Sequence, residues 1–179
     1  MMLAKVCIIG EMSVGKTSLI RRFVDRSFDD AYLTTVGVKI SRKHVPPCEN
    51  ADAHPDGIQL VLWDLEGGES FSEIASAYLK GARGAIIVGD VTRPQTIEAL
   101  DRHARHFLRI NPNGVILLAL NKSDLDHDRD VLVPASLRDL DEVLHTFHTS
   151  ARTGDGVDGA FVALAHHFLD DRFGGLNAH

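Results

Sequence analysis

Short apolar runs alternate with amphipathic stretches along most of the chain. Continuous apolar runs at 5–9, 58–63, 85–90 and 115–120 predict buried strands, a looser alternation predicts a strand at 38–45, and a short strand is predicted at 145–148. Apolar residues at helical spacing predict helices at 18–24, 69–80, 96–110 and 157–173. Alternating strands and helices, with strands that are apolar throughout, are typical of an α/β protein whose sheet is covered on both faces.

The bulk composition narrows the class of protein. The chain has 179 residues, which suits one domain over 1–179 with a single sizeable core. A net charge of -6 gives no support to nucleic-acid binding or to an electrostatic membrane anchor. Two cysteines suggest no disulfide framework, and Cys7 in the first strand is expected to be buried. Without a signal peptide or a transmembrane run, a cytoplasmic location is the expectation.

Residues 10–17, GEMSVGKT, match the phosphate-binding pattern G-x4-G-K-[ST]. They lie between a predicted strand and a predicted helix, which is the context the pattern requires. The glycines let backbone N–H groups turn toward a phosphate, and the N-terminus of the helix attracts the same anion. Lys16 would reach the β- and γ-phosphates, and the Thr17 hydroxyl would hold Mg²⁺, a hard cation that prefers oxygen ligands.

Two stretches further along could complete a magnesium and γ-phosphate site. Asp64 ends an apolar strand at the sheet edge where α/β proteins bind ligands, and it could hold Mg²⁺ through water. Gly67, three residues later, could bring its backbone N–H close to a γ-phosphate. The polar loop before the strand at 38–45 would pass over the phosphates. Thr35 in that loop is the candidate for completing the magnesium shell, with Thr34 as the alternative.

The strand at 115–120 ends in Asn121-Lys122-Ser123-Asp124, the second strong motif. A carboxylate at Asp124 can accept hydrogen bonds from the N1–H and the 2-amino group of guanine, whereas adenine would leave the charge unpaired. Sites built in this way reject the wrong analogue by a factor of about 10^4 to 10^5. The Lys122 stem could cover the face of the base. Residues 149–152, TSAR, lie between the short strand and the last helix and agree with this interpretation.

Taken together, the segments GEMSVGKT, TTVGV, WDLEG, NKSD and TSART resemble those of Ras-superfamily small GTPases, closest to the Rab branch. The resemblance covers about residues 5–173. It implies a P-loop NTPase fold, with a six-stranded, mostly parallel sheet and five helices, that binds Mg-GTP and Mg-GDP. It also implies two switch segments, 28–38 and 64–80, that change order with the nucleotide. Regulators and effectors would bind through residues 28–40 and 63–80.

The resemblance also implies individual roles. Phe28 corresponds to the aromatic residue against the guanine, and Ala151 to the residue whose N–H meets guanine O6. Mg²⁺ would be held by Thr17, Thr35 and Asp64, and the catalytic positions would be Lys16, Thr35, Gly67 and Gly68. The predicted nucleotide contacts are Glu11, Met12, Ser13, Val14, Gly15, Lys16, Thr17, Ser18, Phe28, Thr35, Gly67, Asn121, Lys122, Asp124, Ser150, Ala151 and Arg152.

Several positions depart from the family pattern. The family usually carries a Gln after Asp-x-x-Gly that orients the attacking water, and here that position is Gly68. Leu65-Glu66 replace the usual Thr-Ala, and Met12 and Ser13 replace small residues of the phosphate loop. Glu66 or Glu69 could position water instead. We therefore expect intact nucleotide binding with slow hydrolysis. Ile40 lies where a Phe is usual.

Several alternatives stay open at this stage. A non-hydrolysing interaction module is the second hypothesis, and a metabolic P-loop kinase is a distant third because NKSD and TSART would have no role in it. Trp63 and Tyr78 could face partners or pack in the core. His103 and His106 are expected on the surface, and the turn-rich 46–57 stretch with His54 as a solvated loop. The tail lacks cysteine, so we expect no stable lipid anchor, as in a prokaryotic member or a subunit recruited to membranes by a partner.

Overall fold

A computed structural model describes residues 1–28, 37–47, 54–65, 73–126 and 131–170. Six strands form one sheet in the order β2-β3-β1-β4-β5-β6, and all neighbours are parallel except the antiparallel pair β2 and β3. This confirms the α/β fold class and the mostly parallel sheet. The strands are β1 Met2–Gly10, β2 Val38–Val45, β3 Ile58–Leu65, β4 Gly84–Asp90, β5 Val115–Asn121 and β6 Val143–His148.

Five helices connect the strands within the described residues. They are α1 Lys16–Asp25, α2 Glu73–Leu79, α3 Pro94–Ile110, α4 Ala135–Arg138 and α5 Val157–Leu169. The short α4 was not predicted as a separate helix, because four residues carry too little periodicity. The predicted end of α5 at Phe173 is wrong, since the backbone is already extended at Asp170 (φ −72°, ψ 112°). None of the described helices is long and apolar enough to cross a bilayer.

Apolar layers cover both faces of the sheet, as the continuous apolar strands predicted. On one face α1 and α5 pack together, and the rings of Phe23 and Phe161 stack at 4.4 Å. On the other face α3 contributes Leu100 and Phe107, both fully buried. Because every residue of β4 is buried, this strand has no polar alternation. Cys7 of β1 is also buried, as expected, and burial raises the pKa of its thiol to about 12.

This topology brings the polar motifs to one edge of the sheet. Residues 10–17 follow β1, Asp64 lies near the end of β3, Asp90 ends β4 and Asn121 ends β5. Because parallel strands place their carboxyl ends together, side chains that are far apart in sequence meet at this edge.

Candidate nucleotide-binding site

The loop between β1 and α1 has the backbone shape that its glycines predicted. Gly15, just before α1, has a φ of +101°, and a Cβ there would lie 2.3 Å from Asn121 Nδ2. A Cβ on Gly10 would lie 2.4 Å from the carbonyl oxygen of Val88. Ser13 also adopts a left-handed conformation, with a φ of 63°. These two glycines are therefore required by close contacts as well as by the turn itself.

Side chains hold the carbonyl groups of this loop one after another. The carbonyl oxygens of residues 10–14 each accept a hydrogen bond from a side chain. The donors are Lys16 Nζ to residues 10 and 11 (3.0 and 2.8 Å), both terminal nitrogens of Arg93 to residue 12 (3.1 Å each), Lys122 Nζ to residue 13 (2.9 Å) and Asn121 Nδ2 to residue 14 (2.9 Å). With the carbonyls held in this way, the peptide N–H groups are the part of the loop suited to an anion.

Lys16 lies buried at the start of α1, with 6% of its surface exposed. Burial lowers the pKa of its ammonium group to about 8, a shift that Asp64 and Glu11 partly oppose and Arg93 reinforces. A phosphate beside Lys16 would add negative charge and raise the pKa again. The position suits the predicted contact with phosphate oxygens.

Two of the three predicted magnesium ligands lie side by side. The Thr17 hydroxyl donates to Asp64 Oδ2 at 2.5 Å, and Asp64 is only 2% exposed. A hydroxyl and a carboxylate are oxygen donors of the kind that Mg²⁺ prefers, so these residues fit that ion. The third predicted ligand, Thr35, lies outside the described residues, as do Thr34, Glu66, Gly67, Gly68 and Glu69.

Asn121 joins three of the sequence motifs. Its amide nitrogen donates to Val14 in the phosphate loop, and its amide oxygen accepts from the Thr149 hydroxyl at 3.2 Å. Both Asn121 and Thr149 are 1% exposed. The side chain therefore connects the phosphate loop, the 121–124 motif and the 149–152 motif through buried hydrogen bonds.

The proposed base-recognition end is also preorganised. Ser150 is fully buried, and its hydroxyl donates to Asp124 Oδ1 at 2.6 Å. The Asp124 carboxylate itself is exposed and open to a ligand. Ala151 is buried, Arg152 is exposed, and Phe28 is half-buried against the α1 and α5 core. Ser18 is half-buried in the first turn of α1, and Met12 is 55% exposed on the phosphate loop.

Asp90 is a site residue that sequence reasoning missed. Its Oδ2 lies 2.7 Å from Lys122 Nζ, and its Oδ1 accepts from the backbone and the hydroxyl of Thr92. Burial alone would raise the pKa of Asp90, but the hydrogen bonds from Lys122 and Thr92 outweigh it and lower the pKa. The signal was available in the sequence, because Asp90 follows a run of apolar residues just as Asp64 does. Arg93 was also missed, since nothing near it in sequence indicates that it reaches the phosphate loop.

The expectation that His103 and His106 lie on the surface is wrong. They are 2% and 6% exposed, because they lie on the same buried face of α3 as Leu100 and Phe107. His103 Nε2 lies 3.0 Å from Glu11 Oε1, which also accepts from Arg102 at 2.6 Å. Burial lowers the pKa of both histidines, and for His103 the hydrogen bond with Glu11 opposes that shift. Helix α3 thus contacts the phosphate loop through the Glu11 side chain.

Trp63 and Tyr78, for which the sequence left core packing and a partner-facing role open, pack against the core while remaining partly exposed. Their ring centroids are 6.1 Å apart, and both side chains are partly buried against the α3 side of the core. Lys5 Nζ lies 3.8 Å from the Trp63 ring centroid. Ile40 pairs with Trp63 across β2 and β3 and is 48% exposed. This group therefore packs on the core while part of it stays accessible. Within the described residues, no cluster of three His, Cys, Asp or Glu side chains is arranged to hold a metal ion. His54 is among these residues and belongs to no such cluster.

The sheet order, the phosphate loop and the two motifs at the carboxyl edge define an α/β protein of the P-loop GTPase class. The Ras family model matches residues 5–170. The chain is 34% identical to the Ras-related protein Rab-13 of Canis lupus familiaris over 169 residues, 93% of this chain and 80% of that protein. It is 34% identical to human Ras-related protein Rab-4A over 94% of this chain and 75% of that protein. It is 32% identical to the GTP-binding protein ypt5 of Schizosaccharomyces pombe over 90% of this chain and 75% of that protein. The chain therefore belongs to the Ras family and is a Rab-like small GTPase.

Proposed function

We propose that the chain is a guanine-nucleotide switch that binds Mg-GTP and Mg-GDP and hydrolyses GTP slowly. One observation carries the binding part of this proposal. Asn121 connects the phosphate loop, the 121–124 motif and the 149–152 motif through two buried hydrogen bonds, so the phosphate and base ends form one structure. Such preorganisation lowers the ordering cost that a bound nucleotide would otherwise have to offset.

Each end of the nucleotide has its own set of contacts in this proposal. The N–H groups of the phosphate loop and Lys16 bind the phosphates, and Thr17, Thr35 and, through water, Asp64 hold Mg²⁺, which would neutralise phosphate charge. Asp124 accepts from guanine N1–H and the 2-amino group, while the Ala151 N–H donates to O6. Lys122 and Phe28 would cover the faces of the base. All of the nucleotide contacts predicted from the resemblance belong to this proposed site.

Slow hydrolysis follows from what residue 68 lacks. Phosphoryl transfer in this class depends on positioning the attacking water and on stabilising charge, and Gly68 has no side chain for the first task. Met12 adds bulk at the loop and is 55% exposed, so it would crowd a partner's arginine or glutamine. Neither change alters the groups that would bind phosphate, magnesium or guanine. A module that hydrolyses nothing and stays in one state is the second candidate function, which the same two residues favour.

Protein partners would read the nucleotide state through the two switch segments. The γ-phosphate and Mg²⁺ would hold Thr35 and Gly67, and hydrolysis would release both. Two exposed apolar side chains, Ile40 (48%) next to the first segment and Ile74 (68%) within the second, extend the surface of Trp63 and Tyr78. We propose this surface for effectors and regulators, because Trp and Tyr side chains are among those that contribute most binding energy at protein interfaces.

Base selectivity tests the binding proposal. Affinities of nucleotide-free protein for GDP, ADP and xanthosine diphosphate are measured by calorimetry with Mg²⁺. We expect GDP to bind about 10^4-fold or more tighter than ADP. Asp124→Asn should lose GDP affinity and gain affinity for xanthosine diphosphate, because the amide can donate to the xanthine O2. Asp126→Asn, the same change at an exposed position two residues on, should match the wild type. Equal binding of ADP and GDP would overturn the proposal.

A further inference from the structure

Arg22 on α1 contacts the 149–152 segment from a distance of more than a hundred residues in sequence. Its Nε donates to the Ala151 carbonyl at 2.7 Å, and its Nη2 donates to the Arg152 carbonyl at 2.5 Å. Its stem passes beside Gly154, where an added Cβ would lie 3.7 Å from Arg22 Cδ. The loop therefore curls around one half-buried guanidinium group, which holds two consecutive carbonyls.

The geometry of the loop determines where the Ala151 N–H points. The Ser150 carbonyl accepts from the Gly154 N–H at 2.8 Å, so it faces the interior of the loop. In a trans peptide the C=O and the following N–H point in opposite directions, so the Ala151 N–H faces away from that interior. Arg22 fixes the next two peptide planes. The orientation of this N–H is therefore set directly by the contact within the loop. The two hydrogen bonds from α1 support it by holding the next two peptides.

Helix α1 also carries the phosphate-binding residues. Lys16 and Thr17 form its first turn, and Arg22 lies less than two turns further on. Because a helix of this length is rigid, the position of the base-recognition loop is fixed relative to the phosphate loop by the Arg22 contacts. This connection is separate from the one through Asn121, which lies on β5.

We propose that Arg22 is a positioning residue for base specificity, holding the Ala151 N–H where guanine O6 accepts from it. The inference rests on the proposed function, since it requires guanine in this site. Arg22 touches no reacting atom, and the ligand contact that it positions is the one with O6. The prediction is a loss of affinity that depends on the acceptor at position 6 of the purine and not on the 2-amino group.

Three nucleotides separate this role from a general loss of structure. GDP and inosine diphosphate both carry O6, whereas 6-thioguanosine diphosphate replaces it with sulfur, a weak acceptor, and keeps both groups that Asp124 recognises. Arg22→Met should raise the Kd for GDP and for inosine diphosphate by the same factor, about 10- to 100-fold. The Kd for 6-thioguanosine diphosphate should rise by less than about threefold, since that contact is already weak.

Arg26→Met is the matched control. Arg26 lies one turn further along, next to the C-terminus of α1, and pairs with Asp158 at the surface, where the two side chains are 61% and 52% exposed. It should leave all three affinities unchanged. Arg22→Lys keeps a cationic donor but not the planar fork, so it should give smaller losses of affinity, ranked among the three nucleotides as for Arg22→Met. If Arg22→Met does not fold, the same comparison is made with Arg22→Lys. Equal losses for all three nucleotides, or no loss, would overturn the role of Arg22. A wild type that binds none of them would instead overturn the proposed function.

Discussion

Replacing Asn121 by alanine tests whether the two hydrogen bonds of this buried amide stabilise the connection between the three motifs. The change removes the donor to the Val14 carbonyl (2.9 Å) and the acceptor of the Thr149 hydroxyl (3.2 Å). All three residues are at most 1% exposed, so water cannot readily replace the lost partners. The shorter side chain also leaves space beside Gly15, whose Cα faces Asn121 Nδ2.

The expected cost follows from the two polar groups left behind. An unsatisfied buried carbonyl or hydroxyl costs about 1–3 kcal/mol each, and partial relaxation of the loop recovers some of it. We therefore expect Asn121→Ala to lower the free energy of unfolding by about 2–4 kcal/mol, which corresponds to a Tm decrease of about 5–15 °C. Thr149→Val removes the weaker contact alone and should cost about 1 kcal/mol.

Urea denaturation of nucleotide-free protein is the assay, because a bound ligand would hide the loss by mass action. The double variant should lose less than the sum of the two single losses, by about 0.5–1 kcal/mol, since both remove the same hydrogen bond. A loss below about 0.5 kcal/mol for Asn121→Ala, or strict additivity in the cycle, would refute the view that this amide connects the three motifs.

Three other variants test neighbouring features. Gly15→Ala forces a side chain onto a φ of +101° and 2.3 Å from Asn121 Nδ2, so calorimetry should detect no GDP binding under conditions that saturate the wild type. Burial holds the pKa of His103 below its usual 6.5, so the unfolded chain takes up a proton that the folded chain resists, and stability should fall as pH drops from about 7 to 5. His103→Gln should flatten that slope in urea melts at three pH values, and an unchanged slope would contradict the assignment. Arg93→Gln releases the Met12 carbonyl and should weaken GDP binding more than GMP binding, because only the phosphate loop is altered.

Much of the site was predictable because its chemistry is local. The phosphate loop needs a strand, two glycines and a helix in immediate succession. Asp64 and Asn121 are marked by the runs of apolar residues that precede them in β3 and β5. The structure places Thr17 beside Asp64, as the predicted magnesium site implied. The hydrogen bond from Asn121 to the phosphate loop was not predicted. Strands buried on both faces were equally predictable, because they show no polar alternation.

What the sequence did not reveal depends on contacts between distant segments. Arg22 on α1 and Arg93 just before α3 look like ordinary surface arginines until the fold brings backbone carbonyls to them. The sequence predicts His103 at the surface because histidine is more often exposed than buried. In the structure it is buried, and Glu11, 92 residues away in sequence, is its hydrogen-bond partner. Its neighbour on α3, His106, lies 3.3 Å from the Ser76 hydroxyl of α2. Hydrogen-bond partners of this kind cannot be derived from periodicity, which reports only which face of a helix is apolar.

Single-turnover hydrolysis of GTP with Mg²⁺, together with identification of the nucleotide that co-purifies with the protein, tests the central claim most directly. We expect bound guanine nucleotide and GTP that persists for hours in the wild type. The rate in Gly68→Gln should be at least about tenfold higher, because the glutamine restores a group that orients water. Met12→Gly, measured beside it, separates crowding at the phosphate loop from the missing side chain. Rapid turnover by the wild type, or no gain in Gly68→Gln, would contradict the claim that residue 68 limits hydrolysis.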